Sequence, residues 1–271
     1  MPPLGFSRQA QRLITLAVAL GLLAGCAIRP PADDPEAVAE FEQLNDPLEP
    51  ANRAIFRFNE AIDTVAIKPA AQGYRQVVPP FGRDRVGDFL ANLRSPLVFA
   101  NEVLQGRFSE AGKTAGRFGL NTTFGVLGIM DVATRMGLPP TTEDFGQTLA
   151  VWGVDEGPYL MLPFFGPSNP RDAVGLGVEW AADPLNVWSR GTNTDWVSPT
   201  RTGVAVVDYR EEHLDLLEEI KRSSLDYYSS LRSLYRQRRS SQISNGAGLG
   251  GIPAPGLQFY AEPAGDDGKS Q

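Results

Sequence analysis

Apolar residues recur at helical spacing along most of this chain. Ile55, Phe58, Ile62 and Val65 follow one another at intervals of three and four, which predicts a first helix with one apolar face. The preceding Asn45-Asp46-Pro47-Leu48-Glu49-Pro50 reads as its start, with Asp46 as cap, Pro47 at the first helical position and Glu49 reaching back. Pro50 disfavours helix at Glu49 and can move the start to Pro50 itself. Lys68-Pro69 predicts the end. Val86, Phe89, Leu90 and Leu93 mark a second helix stopped by Pro96, and Leu97 to Leu104 a third. Ser109 is placed to cap a fourth that runs toward Gly119. The longest periodic segment, from about Asp208 to Arg239, carries Leu214, Leu217, Ile220, Tyr228, Leu231 and Tyr235 on its apolar side. Arg232, Arg236, Arg238 and Arg239 lie at its C-terminal end, where they suit the helix dipole. No train of alternating strands is visible, so the predicted class is mainly α.

The N-terminus follows a different pattern. Arg8 and Arg12 precede an apolar run, Leu13 to Leu23, that is too short to span a bilayer. This is the layout of a secretory signal peptide over residues 1–25. Leu23-Ala24-Gly25-Cys26 resembles the bacterial lipobox, in which the cysteine receives a diacylglycerol and the new N-terminus a further acyl chain. Cys26 is the only cysteine, so no intramolecular disulfide can form. Several acyl chains anchor firmly where one anchors only marginally. Residue 27 is Ala rather than Asp, and by resemblance to lipoprotein sorting signals this points to the outer membrane. Residues 26–40 are expected to form a lipidated, flexible tether, and 241–271, rich in Gly and Pro, a disordered tail. About 200 residues remain between, enough for one large domain or two small ones.

The middle of the chain is poor in charge. Phe118 to Pro170 holds six charged residues in 53, against 21% for the whole chain. Residues 118–130, 145–154 and 157–170 carry none, and they are rich in Gly and aromatics. A 13-residue helix is about 20 Å long against a hydrocarbon core of about 30 Å, so none of these stretches crosses a bilayer alone. They read either as a globular core with Gly-rich turns or as a surface that sits in lipid or encloses it. Scarce charge beside an acylated N-terminus favours the second.

Composition and residue inventory remove several function classes. Without Arg8 and Arg12 the chain has 23 basic and 32 acidic residues, a formal net charge of −9, which by bulk charge argues against nucleic acid or anionic headgroups as partners. His213 is the only histidine, and its charged helical context predicts a solvated position. No His pair or Cys/His cluster is available for a metal, and no Gly-x-Ser-x-Gly elbow supports a triad. Gly112-Lys113-Thr114 resembles the end of a phosphate-binding loop, but Arg107 stands where that loop needs Gly. Asp144-Phe145-Gly146 lacks a kinase catalytic loop elsewhere. The carboxylate pairs Glu143/Asp144 and Asp155/Glu156 are expected to cap elements or face water. Neither a catalytic residue nor a resident cofactor is predicted, apart from the lipid on Cys26.

Longer motifs carry a family resemblance. Asn45 to Arg53 with Phe56 and Phe58-Asn59, then Arg117-Phe118 with Asn121-Thr122-Thr123-Phe124-Gly125, Gly128 and Asp131, resemble the MlaA (VacJ) family. So do Glu143-Asp144-Phe145-Gly146-Gln147-Thr148-Leu149, Trp152-Gly153, Gly157-Pro158-Tyr159, Leu162-Pro163, Gly166-Pro167-Ser168 and Arg171-Asp172. Ser223 to Tyr228, Tyr235 and Gln237-Arg238-Arg239 complete the series, and the resemblance covers roughly residues 41–240. Family members commonly have Gly-Gly where this chain has Leu127-Gly128. The resemblance implies a single helical domain forming a ring in the inner leaflet of the outer membrane, with an amphipathic channel through it. It also implies removal of phospholipid from the outer leaflet, delivery to the periplasmic carrier MlaC, and association with trimeric porins.

From this follow the expected sites. Cys26 is the lipidation site. Phe124, Val126, Leu127, Ile129 and Met130 either face lipid or line the channel, with core packing as the alternative. Asn45, Asp46, Pro47, Asn52 and Arg53 are expected to fix the first helix against the ring, with gating as a second role. A lipid-modifying enzyme and a lipoprotein that only scaffolds porins are the competing function classes.

Overall fold

The structure, a computed structural model, describes residues 46–192 and 194–244. Cys26, Asn45, the expected leader and tether, and the expected tail beyond Ser244 lie outside the described residues. The protein is mainly helical, as the periodicity predicts. Among the described residues no helix is long and apolar enough to cross a membrane.

Helix α1 (Glu49–Ile62) starts with Pro50 in its first turn and Leu48 at the N-cap, without a side-chain cap. Asp46 is therefore not the cap; it is buried, and its carboxylate is used elsewhere. Lys68-Pro69 does not end the helix either. A wide π turn, Asp63–Ile67, leads directly into α2 (Lys68–Val77), and the Lys68 N–H bonds back to the Asp63 carbonyl. Pro69 then falls in the first turn of α2, where a missing N–H is best tolerated. Helix α3 (Pro80–Leu104) runs unbroken through Pro96, so the expected second and third helices are one. Proline inside a helix costs about 3 kcal/mol. Packing of α3 along α4 (Phe108–Thr123) outweighs that cost. Helix α4 has Arg107 at its N-cap instead of Ser109, and it continues past Gly119 to Thr123.

Proline and short polar caps punctuate the next segment. Helices α5 (Val132–Arg135), α6 (Phe145–Val151), α7 (Pro170–Ala182) and α8 (Pro184–Gly191) are capped by Asp131, Asp144, Asn169 and Asp183, each accepting from a backbone N–H two or three residues on. Between α6 and α7 lies a small antiparallel hairpin, β1 (Leu160–Leu162) and β2 (Gly166–Ser168), with Met161 opposite Pro167. Helices α6 and α7 cross where Gly146 meets Gly175; a Cβ on Gly175 would lie 2.5 Å from the Gly146 nitrogen.

The expected single helix from Asp208 to Arg239 is three: α9 (Val197–Glu212), α10 (Leu214–Ser223) and α11 (Tyr227–Ile243). The apolar rhythm continues across the breaks, but Asp226 restarts the ladder by accepting from the Tyr228 and Ser229 N–H groups. Helix α11 extends to Ile243, into the first residues expected of the tail.

The interior is inverted relative to a water-soluble domain. Among the described residues, 13 hydrophobic residues are buried against 22 polar or charged ones. The one apolar cluster, Tyr159, Met161, Tyr228 and Tyr235 with Ile55 and Phe56, sits where the hairpin meets α1 and α11. Its rings meet edge to face, as Tyr159 does Tyr228 and Tyr235, with centroids 6.1 and 6.0 Å apart. Ion-pair networks hold the rest together. Arg239 bridges Asp144 and Asp172, and Tyr235 donates to Asp172 at 2.6 Å.

Candidate functional site

The charge-poor stretch 118–130 forms the end of α4 and the loop that follows it. Gly125 and Gly128 are buried, while Phe124, Val126, Leu127, Ile129 and Met130 are all exposed. The two glycines turn inward because nothing larger fits. A Cβ on Gly125 would meet the Met130 carbonyl at 2.2 Å, and one on Gly128 the Asn92 side chain at 2.3 Å. Backbone bonds from Leu127 N to Thr122 O (3.0 Å) and Gly128 N to Asn121 O (2.9 Å) close the loop on α4. The five apolar side chains are thus driven outward, and core packing, one alternative for them, does not occur. Val126 and Leu127 take positive φ angles of 54° and 60°. For a β-branched residue this is a costly conformation. Leu127 occupies the position where the resembled family commonly has Gly, the residue that adopts this φ without penalty.

Many other large apolar side chains are exposed as well. All four tryptophans are more than half exposed: Trp152 54%, Trp180 62%, Trp188 51% and Trp196 67%. Phe81, Phe108, Val174 and Val187 are exposed as well.

Helices α2, α3, α4 and α9 and the 140–142 segment line a cavity of about 620 Å³. Its walls are mixed. Leu90, Val98, Pro140 and Ala205 are apolar, and Arg83, Arg85, Asp88, Asn92, Arg117 and Asp208 are polar or charged. Arg117 pairs with Asp131 at 2.9 Å and donates to the Thr134 hydroxyl at 2.9 Å. Burial would raise the Asp131 carboxyl, but the bonds from Thr134 and Arg117 prevail and hold it below its ordinary value. Arg75 and Arg83 both reach Glu211, at 2.7 and 3.2 Å. Burial pushes up Asp88 and Asp208. Glu212, half exposed at one edge, is pushed up to about 7 by burial and by the neighbouring Asp208 and Glu211.

Other expectations meet the structure as follows. Pro47 lies in the turn before α1, and Asp46, Asn52 and Arg53 tie that turn to the far end of the chain. Asp46 accepts from Asn52 (2.8 Å), the Tyr228 hydroxyl (2.5 Å) and Arg232 (2.7 Å). Asn52 also donates to the Tyr159 carbonyl and accepts from the Met161 N–H. Arg53 pairs with Asp226 and Glu49. His213 is not solvated: it is buried, stacked on Tyr209 with centroids 4.1 Å apart, and burial lowers its pKa. Glu143 neither caps nor faces water; it is buried and takes Gln105 at 2.9 Å and Arg107. Asp144 does cap α6. Lys113 lies in mid-helix beside Glu110, so Gly112-Lys113-Thr114 forms no phosphate loop.

The cavity residues on α3 were missed in the sequence. Their signal is a polar stripe at helical spacing, Arg85, Asp88, Asn92 and Ser95, bracketed along the same face by the exposed Phe81 and Phe99. On a soluble helix such a stripe would face water.

Comparison with known proteins gives the family. The sequence model described as MlaA lipoprotein matches residues 44–242. The chain is 34% identical over 245 residues to the intermembrane phospholipid transport system lipoprotein MlaA of Escherichia coli K12, covering 88% of this chain and 90% of that protein. It is 31% identical over 242 residues to the protein of the same name from Haemophilus influenzae, covering 88% and 92%. A solved structure described as the structural basis for maintenance of bacterial outer membrane lipid asymmetry is similar at a TM-score of 0.65 and 32% identity, covering 73% of this chain and 98% of the other. The chain belongs to the MlaA lipoprotein family.

Proposed function

We propose that the protein is a phospholipid-transport lipoprotein of the outer membrane, acylated on Cys26. It lies as a ring in the inner leaflet, takes mislocalised phospholipid from the outer leaflet, and passes it through the cavity to a soluble periplasmic carrier of the MlaC kind. The observation that carries this reading is the inversion: apolar side chains, all four tryptophans included, point outward around a charged cavity with some apolar wall. The outward face suits acyl chains, with Trp at headgroup depth. The mixed wall suits a molecule with a charged head and apolar tails. A ring confined to one leaflet needs no spanning helix. Trimeric porins fit as partners that hold the ring in place in the inner leaflet. Lipid movement here needs neither a nucleophile nor a nucleotide on this chain, and net direction is set by the carrier's affinity for lipid and by a distant inner-membrane ATPase.

A strain lacking the gene tests this. External phospholipase digestion should release more phospholipid from its surface than from the parent. The wild-type gene should restore the parent level, and a Cys26→Ala gene should not. Unchanged surface phospholipid in the deletion strain, with porin still bound by the protein, would leave only a scaffold.

A further inference from the structure

Three cavity-lining residues of α3, Arg85, Asp88 and Asn92, lie three and four residues apart and so share one face. Arg85 is partly buried; its guanidinium lies over the Phe81 ring at 5.1 Å and its Nη2 pairs with Asp88 at 2.9 Å, while its Nε is enclosed and makes no hydrogen bond. Asn92 is 5% exposed. Its Nδ2 donates to the Thr122 hydroxyl at 3.2 Å, and its amide is wedged against Gly128. That leaves Asn92 Oδ1, also enclosed, as an acceptor without a donor. A buried donor and a buried acceptor left unmade in one wall are costly unless a ligand completes them. Seven helical residues separate their Cα atoms by about 10 Å.

We propose that this stripe is the headgroup site of the cavity: as lipid enters, the Arg85 and Asn92 side chains turn toward the cavity, Arg85 Nε donating to the lipid phosphate and Asn92 Oδ1 accepting from a donor on the headgroup. The assignment rests on the transport reading above and adds a selectivity to it. Ethanolamine and glycerol headgroups carry N–H or O–H donors. A choline headgroup, a quaternary ammonium, has none and leaves Asn92 unmet. The apolar residues Leu90 and Val98 of the same helix offer contact to the start of the tails. Asp88, which also accepts from the Asp131 N–H at 3.2 Å, keeps Arg85 extended along the wall.

The full-length lipidated protein, purified in a sugar-based detergent without phosphate, is mixed with equal amounts of dioleoyl phosphatidylethanolamine and phosphatidylcholine. Bound lipid is then read by native mass spectrometry. The wild type should hold the ethanolamine lipid about tenfold over the choline lipid. Arg85→Gln should lower both by about tenfold or more. Asn92→Leu should abolish the preference, and Asn92→Asp, which keeps the acceptor, should retain it. Where Arg85→Gln unfolds because Asp88 loses its cation, the Arg85→Gln/Asp88→Asn double variant carries the same expectation. Equal loading of wild type and folded Arg85 variants, or no headgroup preference in the wild type, overturns the site while leaving transport intact. A wild type that holds no phospholipid overturns both. Release of the lipid by millimolar inorganic phosphate would reassign the site to free phosphate and overturn the headgroup role.

Discussion

At the residue scale, stability rests on buried charges whose partners are distant in sequence. Asp46 and Arg232 are 1% and 6% exposed in their side chains. Removing one member of such a pair strands the other, which costs about 3–5 kcal/mol. Arg232→Met should therefore lower unfolding stability by that amount in a denaturant titration, and the Asp46→Asn/Arg232→Met double variant should lose less. Leu127→Gly should act in the other direction. Relief of the positive φ, about 1–2 kcal/mol, exceeds the entropy cost of Gly, about 0.5–1 kcal/mol, so a small rise in melting temperature is expected. Glu212 gives a pH signature. Its folded pKa, about 7, lies above the ordinary carboxyl value of 4.5, so its contribution is fully present below pH 4.5 and is lost as pH rises through 7. Glu212→Gln should melt near the wild type at pH 5 and above it at pH 8, by a modest margin, because the half-exposed carboxylate is screened. The outward loop residues Phe124 to Met130 were legible as a pair of alternatives, since their segment lacks charge. The burial of His213 was not, because stacking on Tyr209 is a tertiary event that a charged local sequence hides.

At the scale of elements, periodicity located the helices but misjudged where they stop. Pro69 and Pro96 read as terminators, yet a π turn absorbs the first and packing of α3 on α4 the second. Asp226, whose capping role has no periodic signature, breaks a segment that the apolar rhythm joins. These outcomes share one reason: helix ends are decided by caps and tertiary packing, and the rhythm of apolar residues reports neither. Pro96→Ala supplies the missing N–H to the Asn92 carbonyl. It should raise stability by about 1–3 kcal/mol in thermal unfolding. The 124–130 loop makes a separate prediction. A Leu127→Asp/Met130→Asp variant places charges on side chains that are 68% and 39% exposed, so it should fold normally yet bind liposomes less than the wild type in a flotation assay. Equal flotation would remove the loop from the lipid-facing surface.

For the whole molecule, the mainly helical class and the family were readable from local motifs, and the charge-poor middle hinted at lipid. The inversion itself was not readable. A polar stripe on α3 looks the same whether it faces water outside or a cavity inside, and only the closure of α2, α3, α4 and α9 around it decides. The central claim is that phospholipid passes through that cavity. Photo-crosslinking in living cells tests it most directly, with a photoreactive amino acid in place of Ser95 or Thr142 on the cavity wall and, as control, in place of the exposed Ser233 on α11. The account predicts phospholipid adducts at Ser95 and Thr142 and none at Ser233. Cavity positions that capture no phospholipid, in a folded and membrane-bound protein, would contradict it.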